Sequence, residues 1–228
     1  MSHSFLSSSV GKKYVMAVTG LVLFGFVIGH MLGNLQIFLG RDALNEYAHF
    51  LQEATELLWL ARIVLLVSFV THIVTAVLLA KDNRAARPVR YRHENTVQAS
   101  YSSRTMMMSG LIVLAFVVYH LLHFTYAAVH PQYFYILDPE GRHDVYSMVV
   151  LSFRDFPIAA AYILAMLPLC MHISHGFQSL FQSLGLNHPR YTPALRRASQ
   201  FIGLLVLAGN TSIPVACLLG WLPVPGAH

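Results

Sequence analysis

Long apolar runs alternate with short polar connections along the whole chain. Five of these runs are long enough to cross a hydrocarbon core of about 30 Å, which takes about 20 helical residues. They lie at roughly 14–38, 58–80, 106–129, 157–181 and 198–220. Lipid offers the backbone no hydrogen-bond partner, and the runs lack the alternation typical of a membrane barrel. The pattern therefore predicts an all-α bundle of five transmembrane helices, with residues 1–228 as a single transmembrane domain.

The polar connections carry signals of their own. In the first connection, apolar residues recur at helical spacing and predict a short amphipathic helix at the outer membrane surface. These residues are Ala43, Leu44, Tyr47, Phe50 and Leu51. The second connection is polar, basic and interrupted by Pro88, so we expect a docking surface for an acidic or soluble partner. Beyond recurring histidines, we expect no internal repeat.

Composition agrees with an integral membrane protein. The chain is 56% hydrophobic and 11% charged, whereas about 25% charged residues is usual for a soluble domain. Its two cysteines, Cys170 and Cys217, lie in apolar runs, which excludes a disulfide framework, a cysteine-ligated cluster and a covalent haem motif. Lys12 and Lys13 precede an apolar run that is too long for a signal peptide and has no cleavage site. We therefore expect the first run to be a retained span.

The distribution of charge predicts the topology. The net charge of +5 is split among short connections, which favours a topology signal and anionic headgroups over nucleic-acid binding. The N-terminal arm and the second and fourth connections hold 11 basic residues and two acids. The first and third connections, with adjoining helix ends, hold four basic residues and eight acids. The positive-inside rule therefore places the N-terminus in the cytoplasm and the C-terminus outside.

Four apolar runs carry a histidine near the middle of the membrane, where an ionisable residue marks a functional-site candidate. These residues are His30, His72, His120 and His172. Each lies three or four residues beyond the midpoint of its predicted span, about 5 Å past the bilayer centre. Because successive spans run in opposite directions, His30 pairs in depth with His120, and His72 with His172. The two pairs are expected about 10 Å apart along the membrane normal.

Two imidazoles on different helices can coordinate the iron of one b-type haem from both faces. A haem held in this way transfers electrons and has no open site for oxygen. Small residues near the histidines would let a flat porphyrin approach the backbone; they are Gly29, Gly33, Ala76 and Gly176. A polar helix contact or a proton relay is the alternative for each histidine alone. His123 and His175 lie one turn from His120 and His172 and are alternative ligands.

Several segments together resemble a known family. They are GKKYVMAVTGLVLFGFVIGHMLGNLQ, YAHFLQ, THIVTAVLLAKDNRAARPVRY, SRTMMMSG with YHLLHFT, DVYSMVV and HISHGFQSLFQSLGLNHPRY. The chain resembles the cytochrome b membrane anchor of succinate dehydrogenase/fumarate reductase, of the single-subunit, five-helix, two-haem type. The resemblance spans nearly the whole chain and weakens over 131–143 and the last span.

The resemblance implies two haem b groups. It implies His30 and His120 as ligands of a distal haem, and His72 and His172 as ligands of a proximal haem nearer the cytoplasmic subunits. It also implies an FAD-containing flavoprotein subunit and an iron–sulfur subunit as partners, within a complex that can form a higher oligomer. The setting would be the bacterial inner membrane, among lipid, with a quinone substrate that we expect to be menaquinone.

The quinone site and the propionate contacts rest on weaker signals. Glu53 and Glu56, near the outer entrance to the second span, could handle protons for a quinone, although acids at a membrane face are usually solvated. Arg62 is a candidate partner for a distal haem propionate. Lys81, Arg84 or Arg104 is a candidate for a proximal one, although snorkelling to headgroups explains all of these residues equally well.

The expected function is that of the quinone-reactive membrane subunit of a succinate:quinone oxidoreductase. The chain has no nucleotide-binding glycine fingerprint, so dicarboxylate chemistry would belong to a partner subunit. Two alternatives remain at this point. One is another quinone-linked diheme cytochrome b, and the other is a haem-free proton-coupled transporter that uses the membrane histidines as a relay.

Overall fold

The computed structural model describes residues 8–86, 105–186 and 188–224, and helices dominate these segments. Within these described segments, five helices are long and apolar enough to cross a membrane. In order, the α-helices are α1 (Ser9–Asn34), α2 (Arg41–Glu53), α3 (Thr55–Ala85), α4 (Met106–Phe124), α5 (Val145–Arg154), α6 (Phe156–Ser183) and α7 (Thr192–Leu218). Short 3-10 helices lie at Leu35–Leu39 and Pro131–Tyr133. The candidate spans are α1 with the 3-10 helix that follows it, α3, α4, α6 and α7, so the prediction of five helical spans is confirmed.

Local chemistry sets the helix ends. Ser8 caps α1, since its hydroxyl accepts a hydrogen bond from the Gly11 amide at 3.0 Å. α4 ends at Phe124, five residues before the predicted end of its span. The reason is that the Tyr126 amide donates back to the Leu121 carbonyl and Ala127 adopts a φ of 51°, a geometry that terminates a helix.

Two helices lie in the connections between spans. The amphipathic helix predicted in the first connection is present as α2, with Leu44 buried and Phe50 exposed. The pattern did not predict α5. Its N-cap is Asp144, whose carboxylate accepts a hydrogen bond from the Ser147 amide at 3.0 Å.

The buried core lies at one end of the bundle, which we call the capped end. It is formed by α2, α5, the residues after α7 and the adjoining ends of the spans. Its fully buried members include Ile37, Val150, Ala159, Ala216 and Cys217. In the most apolar 18-residue stretch of each span, by contrast, only 11–33% of the stretch is buried inside the protein. The middle of the spans therefore presents most of its surface outward or into the space between helices.

A buried polar cluster fastens the capped end. Arg41 of α2 donates two hydrogen bonds to Asp144 Oδ2, at 2.6 and 3.1 Å. Asn45, which is fully buried, donates to Asp144 at 2.9 Å and accepts from the Tyr146 amide at 2.9 Å. Arg142 pairs with the buried Asp138 at 2.7 Å. The bonds of Arg41 and Asn45 tie α2 to the start of α5 and to the connection before it.

Burial and hydrogen bonding have opposite effects on the pKa of Asp144. Burial raises the pKa of a carboxyl group, but hydrogen bonds from Arg41, Ser147 and Asn45 outweigh it and lower the pKa of Asp144 to about 2. Asp144 is therefore ionised at neutral pH although its side chain is inaccessible to solvent. The opposite end of the bundle has a more exposed ion pair, between Lys12 of α1 and Asp82 of α3, at 2.6 Å.

Two glycines of α7 let it pack closely against the other spans. A Cβ on Gly203 would lie 2.9 Å from the Cys170 carbonyl oxygen of α6, and a Cβ on Gly209 would lie 2.5 Å from Met31 Sδ of α1. Neither position has room for a side chain. Small residues of this kind are what allows membrane helices to approach one another.

Candidate functional site

The four predicted membrane histidines meet in two pairs across the bundle. His30 of α1 faces His120 of α4 with ring centres 5.8 Å apart, and His72 of α3 faces His172 of α6 at 6.4 Å. The ring planes are inclined by 84° and 65°. The structure therefore brings together the same partners that depth alone had suggested. Their role as ligands stays a prediction.

The two pairs lie further apart than the predicted 10 Å. Thr19 of α1 contacts His72, and His30 lies eleven residues further along α1. Ser109 of α4 contacts His172, and His120 lies eleven residues further along α4. At 1.5 Å per residue, both helices give about 16 Å between the pairs. The prediction fell short because it took the histidines as equally far past each midpoint, whereas His30 lies four residues from the end of α1.

A hydroxyl group fixes the orientation of His72. Thr19 Oγ1 donates its single proton to the Val15 carbonyl, 2.8 Å away, and lies 3.1 Å from His72 Nδ1. When the hydroxyl proton lies on the Val15 carbonyl, the imidazole donates from Nδ1 to the oxygen. The tautomer that results leaves Nε2 unprotonated, with a lone pair for a metal.

His172 is held in the same way on the other side of the pair. Ser109 Oγ donates to the Met106 carbonyl at 3.0 Å and lies 3.3 Å from His172 Nδ1. With each hydroxyl proton on its own backbone carbonyl, both imidazoles of this pair carry the proton on Nδ1. A histidine that binds a metal through one nitrogen commonly donates a hydrogen bond from the other.

Glycines give both rings room against the facing helix. A Cβ on Gly20 would lie 3.4 Å from His72 Cε1, and a Cβ on Gly110 would lie 3.3 Å from His172 Cε1. Of the small residues singled out in the sequence, Gly29 and Gly176 have nothing within 4 Å of such a Cβ. Gly33 instead accommodates the Tyr47 ring of α2, 2.7 Å from the Cβ position.

The paired imidazoles fit a six-coordinate haem iron. A metal–imidazole nitrogen bond is about 2.0 Å long, so two imidazoles on opposite faces of one iron have ring centres about 6 Å apart. The observed distances bracket this value. An edge-on pair of aromatic rings has the same spacing, so the contacts at Nδ1 of His72 and His172 carry more weight. They leave Nε2 as the nitrogen of these two rings that can bind a metal.

A family model adds evidence of ancestry to the geometry. Residues 81–210 match the family described as succinate dehydrogenase/fumarate reductase transmembrane subunit. The chain belongs to this family. The match covers more than half of the chain and includes α4 and α6, with His120 and His172. No curated protein and no solved structure matches the chain.

Membership confirms the family resemblance seen in the sequence. With its five apolar helices, this transmembrane subunit is a multi-pass membrane protein and part of a succinate/fumarate oxidoreductase complex. The family also implies association with the other subunits of such a complex.

The surroundings of His123 and His175, the two alternative ligands, differ from those of the four paired histidines. His123 is buried, and its two ring nitrogens lie 3.0 Å from the Tyr162 hydroxyl and 3.2 Å from the Ser152 hydroxyl. His175 Nε2 lies 2.9 Å from Ser179 Oγ on its own helix. Hydroxyl groups thus occupy both nitrogens of His123 and Nε2 of His175, which favours the cross-helix pairs as the ligand set.

Three of the remaining candidates are exposed. Glu53 is exposed and pairs with His49 of the same helix at 3.2 Å, and Glu56 is exposed at the start of α3. Arg62 is exposed, with its guanidinium 5.1 Å from the Trp59 ring centre, a cation–π contact. Arg104 lies outside the described residues. The quinone and propionate roles of these residues stay predictions.

Sequence reasoning missed the residues that support the histidines. In α1, the sequence Thr19-Gly20-Leu21 is followed by His30, eleven residues after Thr19. In α4, a serine, a glycine and a leucine begin at Ser109 and are followed by His120, again eleven residues after the first. Each of these two helices carries a histidine of one pair and the hydroxyl and glycine that contact the other pair. The expectation of no repeat beyond the histidines was wrong. Aligning the two runs on their histidines would have revealed the repeat.

Proposed function

We propose that this transmembrane subunit is a diheme cytochrome b. It would anchor succinate dehydrogenase/fumarate reductase in the membrane and transfer electrons between the iron–sulfur subunit and a quinone, which we expect to be menaquinone. The observation that carries the proposal is the pairing of four membrane histidines across helices, together with hydroxyl groups that keep the proton of one pair on Nδ1.

Each histidine pair would hold one haem b. His30 and His120 would bind the distal haem, near the capped end, and His72 and His172 the proximal haem. A haem with two imidazole ligands supplies one-electron transfer without an open coordination site. Thr19 and Ser109 accept the Nδ1 protons of the proximal ligands and hold their rings in place.

The proposed orientation follows from charge. The N-terminal arm and the second and fourth connections carry the excess of basic residues, which supports an orientation with the proximal pair toward the cytoplasm and the capped end outside the bacterial inner membrane. The flavoprotein and iron–sulfur subunits would then dock on the cytoplasmic face, where dicarboxylate chemistry takes place in the flavoprotein. The Lys12–Asp82 ion pair agrees with this topology, because it joins the start of α1 to the end of α3.

Counting haem in the purified complex tests the proposal. We expect two haem b per transmembrane subunit, with b-type bands in the reduced spectrum. Replacing His30, His72, His120 or His172 by leucine should remove one haem in each case. The matched control is His175→Gln, which changes a membrane histidine outside the pairs and should retain both haems. A complex without haem b would refute the proposal, and a single substitution that keeps both haems would refute the ligand assignment.

A further inference from the structure

Tyr162 of α6 lies at the centre of an aromatic cluster next to the distal histidine pair. Its side chain is 6% exposed. Six rings have their centres 4.9–6.0 Å from the Tyr162 ring, and they belong to Phe116, Tyr119, His120, His123, Phe124 and Phe153. A ring enclosed in this way has little freedom to move, so the position of its hydroxyl group is determined by packing.

The Tyr162 hydroxyl joins two histidines of α4. It lies 3.0 Å from His123 Nδ1 and 3.5 Å from His120 Nδ1, which is at the long end of hydrogen-bond distances. On its far side, His123 Nε2 lies 3.2 Å from Oγ of Ser152, a residue of α5 that is fully buried. A continuous chain of hydrogen bonds therefore leads from His120 to the short helix at the capped end.

Counting protons gives the chain a direction. A tyrosine hydroxyl has one proton, so it can donate to only one of the two Nδ1 atoms beside it, and the other ring must donate to the oxygen. If His120 binds iron through Nε2, its Nδ1 carries a proton and donates to Tyr162. Tyr162 then donates to His123 Nδ1, and His123 donates from Nε2 to Ser152. Every group in the chain is satisfied by this arrangement.

We propose that Tyr162 is a positioning residue for the distal haem: with His123 and Ser152 behind it, its hydroxyl group orients His120 and lowers the redox potential of that haem. This inference rests on the proposed function. An acceptor at Nδ1 makes an imidazole a stronger electron donor to its metal, and a stronger donor favours the oxidised iron. The proximal pair has its own acceptors in Thr19 and Ser109, so Tyr162 should act on one haem only.

The test is a redox titration of the Tyr162→Phe variant in the intact complex, followed in the haem absorbance bands. Phenylalanine keeps the ring and its packing and removes only the hydroxyl group. We expect the distal midpoint potential to rise by about 59 mV, a tenfold change in the reduced-to-oxidised ratio for a one-electron couple. The proximal potential should stay unchanged. The haem that disappears in the His30→Leu variant identifies the distal signal.

Three further single variants, and one double variant that combines Tyr162→Phe with His123→Leu, make the test specific. Tyr119→Phe is the matched control, because this neighbouring tyrosine packs against His123 and Tyr162 but has no hydrogen bond to His120 among the described residues. It should move neither potential. Thr19→Val should raise the proximal potential only. His123→Leu should raise the distal potential less than Tyr162→Phe, and the double variant should match Tyr162→Phe, since the two groups act in series.

The possible outcomes separate this inference from the proposed function. If the complex contains no haem b, the proposed function fails. If both haems are present and Tyr162→Phe leaves the distal potential unchanged, or shifts both potentials equally, the positioning role is overturned. A shift in Tyr119→Phe as large as that in Tyr162→Phe also overturns it, because the effect would then come from the aromatic packing.

Discussion

Neutralising Asp144 should loosen the capped end by a predictable amount. The carboxylate is inaccessible to solvent, and its pKa falls from the ordinary value of 3.8 to about 2 on folding. Each tenfold change in proton affinity corresponds to about 1.4 kcal/mol. The ionised carboxylate therefore contributes about 2 kcal/mol to the free energy of unfolding. Asp144→Asn should lose about this amount, because asparagine still caps α5 but cannot form the ion pair with Arg41.

The same pKa shift gives a pH window. A carboxyl group whose pKa is lower in the folded state stabilises the protein above its unfolded pKa and loses that effect as pH falls through the folded pKa. The difference in stability between wild type and Asp144→Asn should thus be constant above about pH 5 and shrink between about pH 4 and pH 2. Unfolding in mixed micelles with increasing SDS, followed by circular dichroism, measures it.

A matched control separates the buried ion pair from a general effect of charge. Asp42 lies 3.9 Å from Arg142, but its side chain is 84% exposed. Asp42→Asn should have little effect, as is usual for exposed pairs. Our reasoning would be refuted if Asp144→Asn cost less than about 0.5 kcal/mol, the range of ordinary surface substitutions. It would also be refuted if the two variants behaved alike.

Two glycine substitutions test the helix contacts. Gly110→Leu places a side chain against His172, whose Cε1 lies 3.3 Å from the Cβ position, so proximal haem should be lost while distal haem remains. The haem content per polypeptide measures this loss. Loss of both haems, or of neither, would contradict the prediction. Gly203→Ala forces a Cβ onto Ser174 Oγ and to 2.9 Å from the Cys170 carbonyl oxygen, so α6 and α7 must separate. We expect a loss of about 1–3 kcal/mol in detergent unfolding, which Ser174→Ala should not rescue because the backbone contact remains.

Periodicity and the lipid environment account for the features that could be predicted from the sequence. Apolar runs of membrane length located the five spans, because lipid surrounds the middle of each span and requires apolar side chains there. Helical spacing of apolar residues located α2, because one face of that helix is buried. Because successive spans run in opposite directions, depth in the membrane was enough to pair His30 with His120 and His72 with His172. In each case a one-dimensional pattern determined the result without knowledge of any tertiary contact.

Tertiary contacts account for the features that the sequence did not predict. α5 depends on the cap at Asp144 and on packing over the bundle end, neither of which gives a long apolar run. The hydroxyl groups of Thr19 and Ser109 were overlooked because both residues are common within membrane helices, where they usually bond to their own backbone. Both do so here, and it is this bond that leaves the oxygen as an acceptor for a histidine.

The repeat in α1 and α4 has an energetic consequence for the proposed function. Each helix spans both histidine layers, so eleven residues of rigid helix set their separation at about 16 Å. This is about half of the hydrocarbon thickness of about 30 Å. A charge that crosses the whole membrane gains or loses about 2.3 kcal/mol per 100 mV, so a charge displaced between the layers is worth about half of this. In the proposed orientation the proximal layer lies toward a negative cytoplasm, so outward movement of an electron would be favoured and inward movement opposed by the same amount. The direction in which the complex works would thus depend on the membrane potential even if the two haem potentials were equal.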